Sequence, residues 1–373
     1  MESDGQEMKI ALVHDWLNQV GGAEGVLENL VDLYARAPIY TSIYAPRSMP
    51  DFYRRWDIRT TWMNKLPLVK RRHQPFLPLY PLAFESLDLS EHEVVLSNKS
   101  GFCHGVVTPP ETLHICYCLT PTRYVWRYHD YAAREGIGKT ARVLLTPFLT
   151  CLRIWDRLAA DRVDHFVAIS TEVQRRIKKY YRRESEIIYP PVDTQRFAPS
   201  AGYDDYFLIV GRLVPYKRID LAVQACSKLG LRLQVGSTGR DMARLKALAG
   251  PTVEFLGRVP DEQLPTLLAR CRAFLFPGAE DFGIAPVEAM AAGRPVIAYA
   301  SGGALDTVIE GRTGTFFDEQ TVEALSDALR RFDPDSYDPA VIRRHAEQFD
   351  AAIFKQKIQH YVMKKLEEHR TWN

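Results

Sequence analysis

The sequence lacks any run of about 18 uncharged apolar residues, so no helix is expected to span a bilayer. It also lacks a dominant charge. Lys and Arg total 48 against 46 Asp and Glu, a formal net charge of +2. A dedicated nucleic-acid binder carries a clear basic excess, so that partner class is set aside. Residues 1–8 are polar and acidic, without the basic start and apolar stretch of a signal peptide, and a cytoplasmic location is expected. Cysteine is sparse. Cys103, Cys116, Cys118, Cys151, Cys226 and Cys271 show neither zinc nor redox spacing and are expected to be reduced packing residues. No Asp-x-Asp pair lies between expected strands and no His/Glu set clusters, so neither a metal nor another cofactor is expected.

What is present suits two globular cores. A chain of 373 residues exceeds one ordinary core, and 46% hydrophobic with 25% charged residues is a globular composition. Residues 9–14, KIALVH, read as a buried strand. Gly21-Gly22 follows, then a helical pattern through Val26, Leu27, Leu30 and Leu33: strand, glycine loop, helix, the opening of an α/β unit. Further strands are expected at 93–97, 112–119, 165–170 and 187–189, with Ser170 capping a helix. A second alternation starts near residue 206, with strands at 206–210, 231–235, 253–256, 273–276, 296–300 and 314–317. The reading is an N-terminal domain over 1–200 and a C-terminal domain over 201–349, with a last helix over 350–373 returning to the first. Ligands of open α/β sheets bind beyond the carboxyl ends of strands, so a cleft lined by the loops after strands is expected.

Three elements on such loops carry chemistry. In the first, Glu280 and Glu288 flank Asp281-Phe282-Gly283-Ile284-Ala285-Pro286. Pro286 suits the first helical position and Gly293 the stop, which puts Glu280 in the loop and Glu288 in the first turn. The free amides of that helix start suit a phosphate, and the two carboxylates suit a sugar hydroxyl and a ribose diol. The second element, Arg212 and Lys217 on the loop 211–217, can hold a diphosphate and stabilise the charge that grows on it. The third is Gly21-Gly22, whose amides can face a phosphate or an acceptor. Taken singly, each pattern also has a plain structural reading, as a cap, a solvated cation or a tight turn.

Together, in this order, they resemble the retaining family-4 glycosyltransferases of the GT-B fold, an α/β architecture of two Rossmann-like domains with a ligand cleft between them. The resemblance runs over Gly21-Gly22-Ala23-Glu24, Ala168-Ile169-Ser170, Tyr189-Pro190-Pro191-Val192-Asp193, Gly211-Arg212 with Lys217, Phe255-Leu256-Gly257, Glu280 to Glu288, Gly293-Arg294-Pro295-Val296 and Gly302-Gly303. It implies that Arg212 and Lys217 clamp the donor diphosphate, that Glu280 touches the donor sugar and that Glu288 holds the nucleotide ribose. Gly21, Gly22, Gly236, Arg258, Val259, Phe282, Gly283, Ile284 and Ala285 complete the implied donor site. It further implies same-face attack with the leaving diphosphate helping to deprotonate the acceptor. One departure stands out. Many relatives carry a His-Thr-Pro where this chain has Leu119-Thr120-Pro121, leaving His114 and His129 as candidate substitutes.

The stretches 117–126 and 66–89 resemble the bacterial polysaccharide-assembly branch, which implies mannose from GDP-mannose, with a UDP-linked hexose as rival, and a saccharide or polyprenyl-linked acceptor. Residues 63–81 mix Lys65, Lys70, Arg71 and Arg72 with apolar side chains, and peripheral contact with an anionic membrane is expected there. The basic pairs Arg175-Arg176, Lys178-Lys179 and Arg182-Arg183 are candidates for the same face. A nucleotide-sugar epimerase, or a non-catalytic nucleotide-sugar-binding protein of the same fold, is the alternative.

Overall fold

A computed structural model describes residues 8–128 and 138–372. The chain forms two compact units. The first comprises Met1–Tyr189 with Lys355–Asn373 and the second Pro190–Phe354.

The first unit is built on a seven-stranded parallel sheet: β1 (Ile10–His14), β2 (Ile39–Thr41), β3 (Ile58–Thr60), β4 (Val94–Lys99), β5 (Leu113–Cys118), β6 (His165–Ala168) and β7 (Ser185–Ile187), in the order β3-β2-β1-β4-β5-β6-β7. Every residue of β1, β4 and β5 is buried, as expected of parallel strands covered on both faces. β1 pairs with β4 from Ile10↔Val94 to His14↔Asn98. β2 and β3 were not expected from the sequence. At three residues each they are too short to show a period, and β3 is a half-exposed edge. Three helices matter below: α1 (Gly22–Leu33), α2 (Tyr80–Glu85) and α3 (Lys139–Asp161). Ser170 caps its helix as expected, accepting from Val173 N at 3.2 Å. Five cysteines are buried; Cys151 is exposed and does not pack.

The second unit repeats the plan with β8 (Phe207–Val210), β9 (Leu233–Gly236), β10 (Val253–Gly257), β11 (Ala273–Phe276), β12 (Val296–Tyr299) and β13 (Gly314–Phe317), all parallel, in the order β10-β9-β8-β11-β12-β13. Helices α4 (Ile219–Leu229) and α5 (Ile284–Ala291) follow β8 and β11. Counted within each unit, both sheets therefore share the order 3-2-1-4-5-6 of dinucleotide-binding folds, extended by β7 in the first.

The break between the units falls after Tyr189 rather than at 200. Residues 190–200 are tied into the second unit by side chains the sequence does not advertise. Val192 bridges Asp350, the Arg343 guanidinium donates to the Thr194, Phe197 and Ala291 carbonyls, and buried Arg294 donates to Ser200 Oγ and Gly202 O. The last helix, α6 (Ala351–Trp372), counts with the first unit from Lys355 onward. Lys355 pairs with Asp32 at 3.0 Å and Arg370 with Glu93 at 2.7 Å. No helix among the described residues is long and apolar enough to cross a membrane.

Candidate functional site

In each sheet the strand order reverses at one point, between β1 and β4 and between β8 and β11. That reversal opens a crevice at the carboxyl ends of the strands. In the first unit the protein fills it with a carboxylate of its own. Asp15, directly after β1, accepts from the amides of Ser100 and Gly101 (both 2.6 Å) on one oxygen, and of Phe102 (2.6 Å) and Cys103 (2.8 Å) on the other. The Ser100 hydroxyl adds a fifth bond at 3.1 Å. Amides that elsewhere in such folds would greet a phosphate are satisfied here.

In the second unit the crevice collects opposite charges instead. Lys217, from the loop after β8, donates to Glu280, from the loop after β11, at 2.6 Å. Both side chains are about four-fifths buried. Each loop is held from behind. Leu213 N donates to Thr238 O at 3.1 Å, which fastens the loop after β8 to the loop after β9. A Cβ on Gly278 would stand 2.9 Å from Lys217 Cα, so the two charged loops touch through backbone. On the far side Gly303 N donates to Glu280 O at 2.9 Å, and a Cβ on Gly303 would overlap the Phe282 backbone. Arg212 is exposed on the same loop and has no side-chain partner among the described residues.

Helix α5 begins two residues earlier than the proline suggested. Gly283 is its N-cap at φ +97°, and a Cβ there would lie 2.8 Å from the Phe276 ring. Only glycine meets both conditions. Ile284 and Ala285 then supply the first free amides, and Pro286 sits third, where it has no N–H to leave unpaired. Glu288 is accordingly in the second turn, not the first. Its carboxyl is pushed up to about 7 by burial, against the pull of the Arg196 guanidinium and with the push of Asp261 and Asp193. Those three neighbours were missed in the sequence. Asp193 lies inside the quoted Pro-Pro-Val-Asp string, so position was available but role was not.

Other expected positions behave variously. The Phe282 ring is buried against Phe349, with centroids 5.7 Å apart, so only its backbone is offered to the crevice. Gly236 ends β9, and its missing side chain makes room for Val259, whose Cγ2 would be 2.7 Å from a Cβ; Arg258 beside it is exposed. Gly21 and Gly22 belong to the first unit, where Gly21 is the N-cap of α1 in extended conformation. Behind them His14 Nδ1 meets Asn98 Nδ2 at 3.2 Å and its Nε2 lies 3.6 Å from Glu24. The same Asn98 amide donates to Ala23 O, an obligate acceptor, so His14 Nδ1 must also accept and Nε2 carries the proton.

His114 does not replace the absent histidine of relatives. It is fully buried, bonded to Ser97 Oγ at 2.9 Å, and burial lowers it to about 3. His129 lies outside the described residues. Of the basic pairs, Arg175 and Arg176 bind Glu172, Lys178 pairs with Glu184, and Arg183 donates to the carbonyls of Ala160 and Asp164, so most are spent internally. No group of three or more metal-ligating side chains occurs among the described residues.

Comparison with known proteins fits this geometry. Residues 20–196 match the family model described as Glycosyltransferase Family 4 and residues 193–349 the one described as Glycosyl transferases group 1. Over 174 residues the chain is 34% identical to a GDP-mannose-dependent alpha-(1-6)-phosphatidylinositol monomannoside mannosyltransferase of Mycolicibacterium smegmatis, covering 39% of this chain and 46% of the relative. Over 196 residues it is 31% identical to a GDP-mannose-dependent alpha-mannosyltransferase of Mycobacterium tuberculosis, covering 49% and 50%. The chain thus spans about half the length of the curated relatives it matches. Sucrose-phosphate synthase from Thermosynechococcus elongatus (TM-score 0.73) and HepE of Anabaena in complex with UDP (TM-score 0.69) share the fold, each at 18% identity over 96% of this chain and 100% of the other. With both halves matched and the two sheets in the corresponding strand order, the chain belongs to the family-4 glycosyltransferases of the GT-B fold.

Proposed function

We propose that the protein is a retaining hexosyltransferase that moves mannose from GDP-mannose to a saccharide or polyprenyl-linked acceptor in cell-surface polysaccharide synthesis. The observation that carries the reading is the Lys217–Glu280 pair at the β8/β11 reversal, with the Ile284 and Ala285 amides at the start of α5 alongside. The donor diphosphate lies against those amides and the cations of Arg212 and Lys217. Glu280 accepts from a sugar hydroxyl and Glu288 from the ribose diol. The bond from the sugar C1 to the diphosphate oxygen breaks with its electron pair going to that oxygen. The acceptor hydroxyl attacks C1 on the same face and passes its proton to the departing diphosphate. Arg212 and Lys217 stabilise the charge that this oxygen gains. The first unit takes the acceptor, since its own crevice is closed by Asp15. The donor preference rests on the names of the relatives matched.

The test is release of nucleotide diphosphate from a panel of GDP- and UDP-linked hexoses, with and without acceptor extracts, in buffer containing EDTA. Acceptor-dependent turnover of GDP-mannose, undiminished by the chelator, is the expected result. Isomerisation of the sugar without diphosphate release would replace this reading with the epimerase one.

A further inference from the structure

The segment 63–81 turns its apolar residues inward. Met63, Val69 and Tyr80 are buried, and Leu66, Phe76 and Leu77 pack on the same cluster. This packing lays His73 over the loop after β1. Its ring lies against that of Trp16, with centroids 4.7 Å apart and planes tilted by 41°. Trp16 is itself buried, and Gly101 leaves room for it, since a Cβ there would stand 2.8 Å from Trp16 Cζ3. Asn18 Nδ2 donates to Lys70 O at 3.3 Å and ties the two segments a second time. His73 therefore stands beside the crevice that Asp15 closes.

Counting hydrogens fixes which nitrogen of His73 is bare. Ser42 Oγ meets Asp15 O, a carbonyl that only accepts, so Ser42 spends its one proton there. The Tyr80 hydroxyl bonds the same Ser42 side chain. With the serine proton committed, Tyr80 must donate to Ser42 Oγ. The Tyr80 oxygen is then free to accept, and its other partner is His73 Nδ1 at 3.1 Å. Nδ1 thus carries the proton and Nε2 keeps a lone pair. Tyr80, Ser42 and Asp15 are all buried, whereas His73 is only half-buried. Its Nε2 has no partner among the described residues.

A bare imidazole nitrogen next to the Asp15 carboxylate repels an anion and suits a neutral donor. Burial holds His73 below the ordinary imidazole range, although Asp15 pulls the other way, so the ring stays neutral. In a unit that takes a saccharide, the neutral donor is a sugar hydroxyl. We propose that His73 binds the acceptor, its Nε2 accepting from an acceptor hydroxyl while Tyr80 and Ser42 hold the ring in the required tautomer. The inference rests on the transferase reading and on the first unit as its acceptor side. The attacking hydroxyl still gives its proton to the diphosphate, so His73 orients the acceptor and does not deprotonate it.

Transfer from GDP-mannose to octyl α-mannoside, a hexoside whose alkyl tail stands in for a lipid-linked acceptor, tests it through diphosphate release. His73→Phe keeps a ring on Trp16 and loses the lone pair. It should raise the KM for the mannoside by about tenfold, the worth of one hydrogen bond, and leave the KM for GDP-mannose in place. His73→Gln, whose amide oxygen can accept near the position of Nε2, should recover most of that loss. Tyr80→Phe keeps the imidazole but releases its tautomer, and a smaller rise is expected. In the wild type the mannoside KM should climb as pH falls below the ordinary imidazole range, and in His73→Gln it should not. A wild-type mannoside KM in His73→Phe would overturn the inference and leave the transferase reading standing. So would equal rises in both KM values with a lowered melting point, the mark of a loosened loop. No diphosphate release from GDP-mannose by the wild type would instead overturn the transferase reading, and this inference with it.

Discussion

Lys217 Nζ and Glu280 Oε1 lie 2.6 Å apart, a charge-assisted bond that joins the loop after β8 to the loop after β11. Each residue has two duties in the proposed reaction. Lys217 must serve both a carboxylate and a diphosphate, and Glu280 both an ammonium and a sugar hydroxyl. Lys217→Met and Glu280→Gln are each expected to lower kcat by about 10²-fold or more. The double variant should be little worse than the weaker single one, because either change alone strands its partner. Diphosphate release by the three variants checks this. Additive losses would mean that the two side chains act separately.

Glu288 makes donor binding depend on pH. Burial lifts its carboxyl to about 7, and a ribose diol is best held by the charged form. Donor kcat/KM should therefore rise through about pH 7 and level off above it, and Glu288→Gln should flatten that limb. Stability runs the other way. Between the ordinary carboxylate value and 7 the folded state holds a proton the unfolded state has lost, so stability falls as pH rises through that window. The limiting slope is about 1.4 kcal/mol per pH unit. Glu288→Gln should remove it. A pH-independent melting midpoint in the wild type between 5 and 7 would contradict the assignment.

The expected chemistry was legible because charged side chains on strand-to-helix loops can be placed from strand signals alone. Fully buried strands such as β1 and β5 announce themselves by largely apolar runs, and the loops follow from them. What the sequence did not yield depends on contacts remote in the chain. The start of α5 was set by the Phe276 ring against Gly283, seven residues on, not by Pro286. Arg343 and Arg294 moved the unit boundary by bonding to oxygens of Thr194, Phe197 and Ser200, 94 to 149 residues away. The apolar residues of 63–81 are turned inward by a cluster they share with α3, some 70 residues further along the chain.

Gly303 buttresses the glutamate loop, and its substitution should separate geometry from charge. A Cβ at this position overlaps the Phe282 backbone, and the Gly303 amide holds Glu280 O at 2.9 Å. Gly303→Ala is expected to push the 280–282 segment outward. It should cost roughly 1–3 kcal/mol of stability, as overpacking of a filled site does. Turnover should fall by about tenfold or more while Glu280 and Lys217 remain present. Thermal melting and donor kinetics on one preparation would test both. Wild-type kcat in a destabilised variant would show that the loop position is unimportant for the chemistry.

Asp15 offers the sharpest test of why the two crevices differ. It is buried, and four backbone amides converge on its two oxygens. Asp15→Asn keeps the shape but turns an NH2 toward two of those amides, donor against donor. Each buried amide left without an acceptor costs roughly 1–3 kcal/mol, so a loss of about 2–6 kcal/mol is expected in urea unfolding. Asp15→Ala instead removes both oxygens and leaves a cradle of free amides of the kind that binds small anions. Formate should then raise the melting point of Asp15→Ala in proportion to its concentration while leaving the wild type unchanged, since a ligand that binds only the folded form shifts its stability by mass action. If formate stabilises neither protein more than chloride does, the amides are satisfied in some other way. The closed crevice would then give no reason for the diphosphate to fall to the second unit.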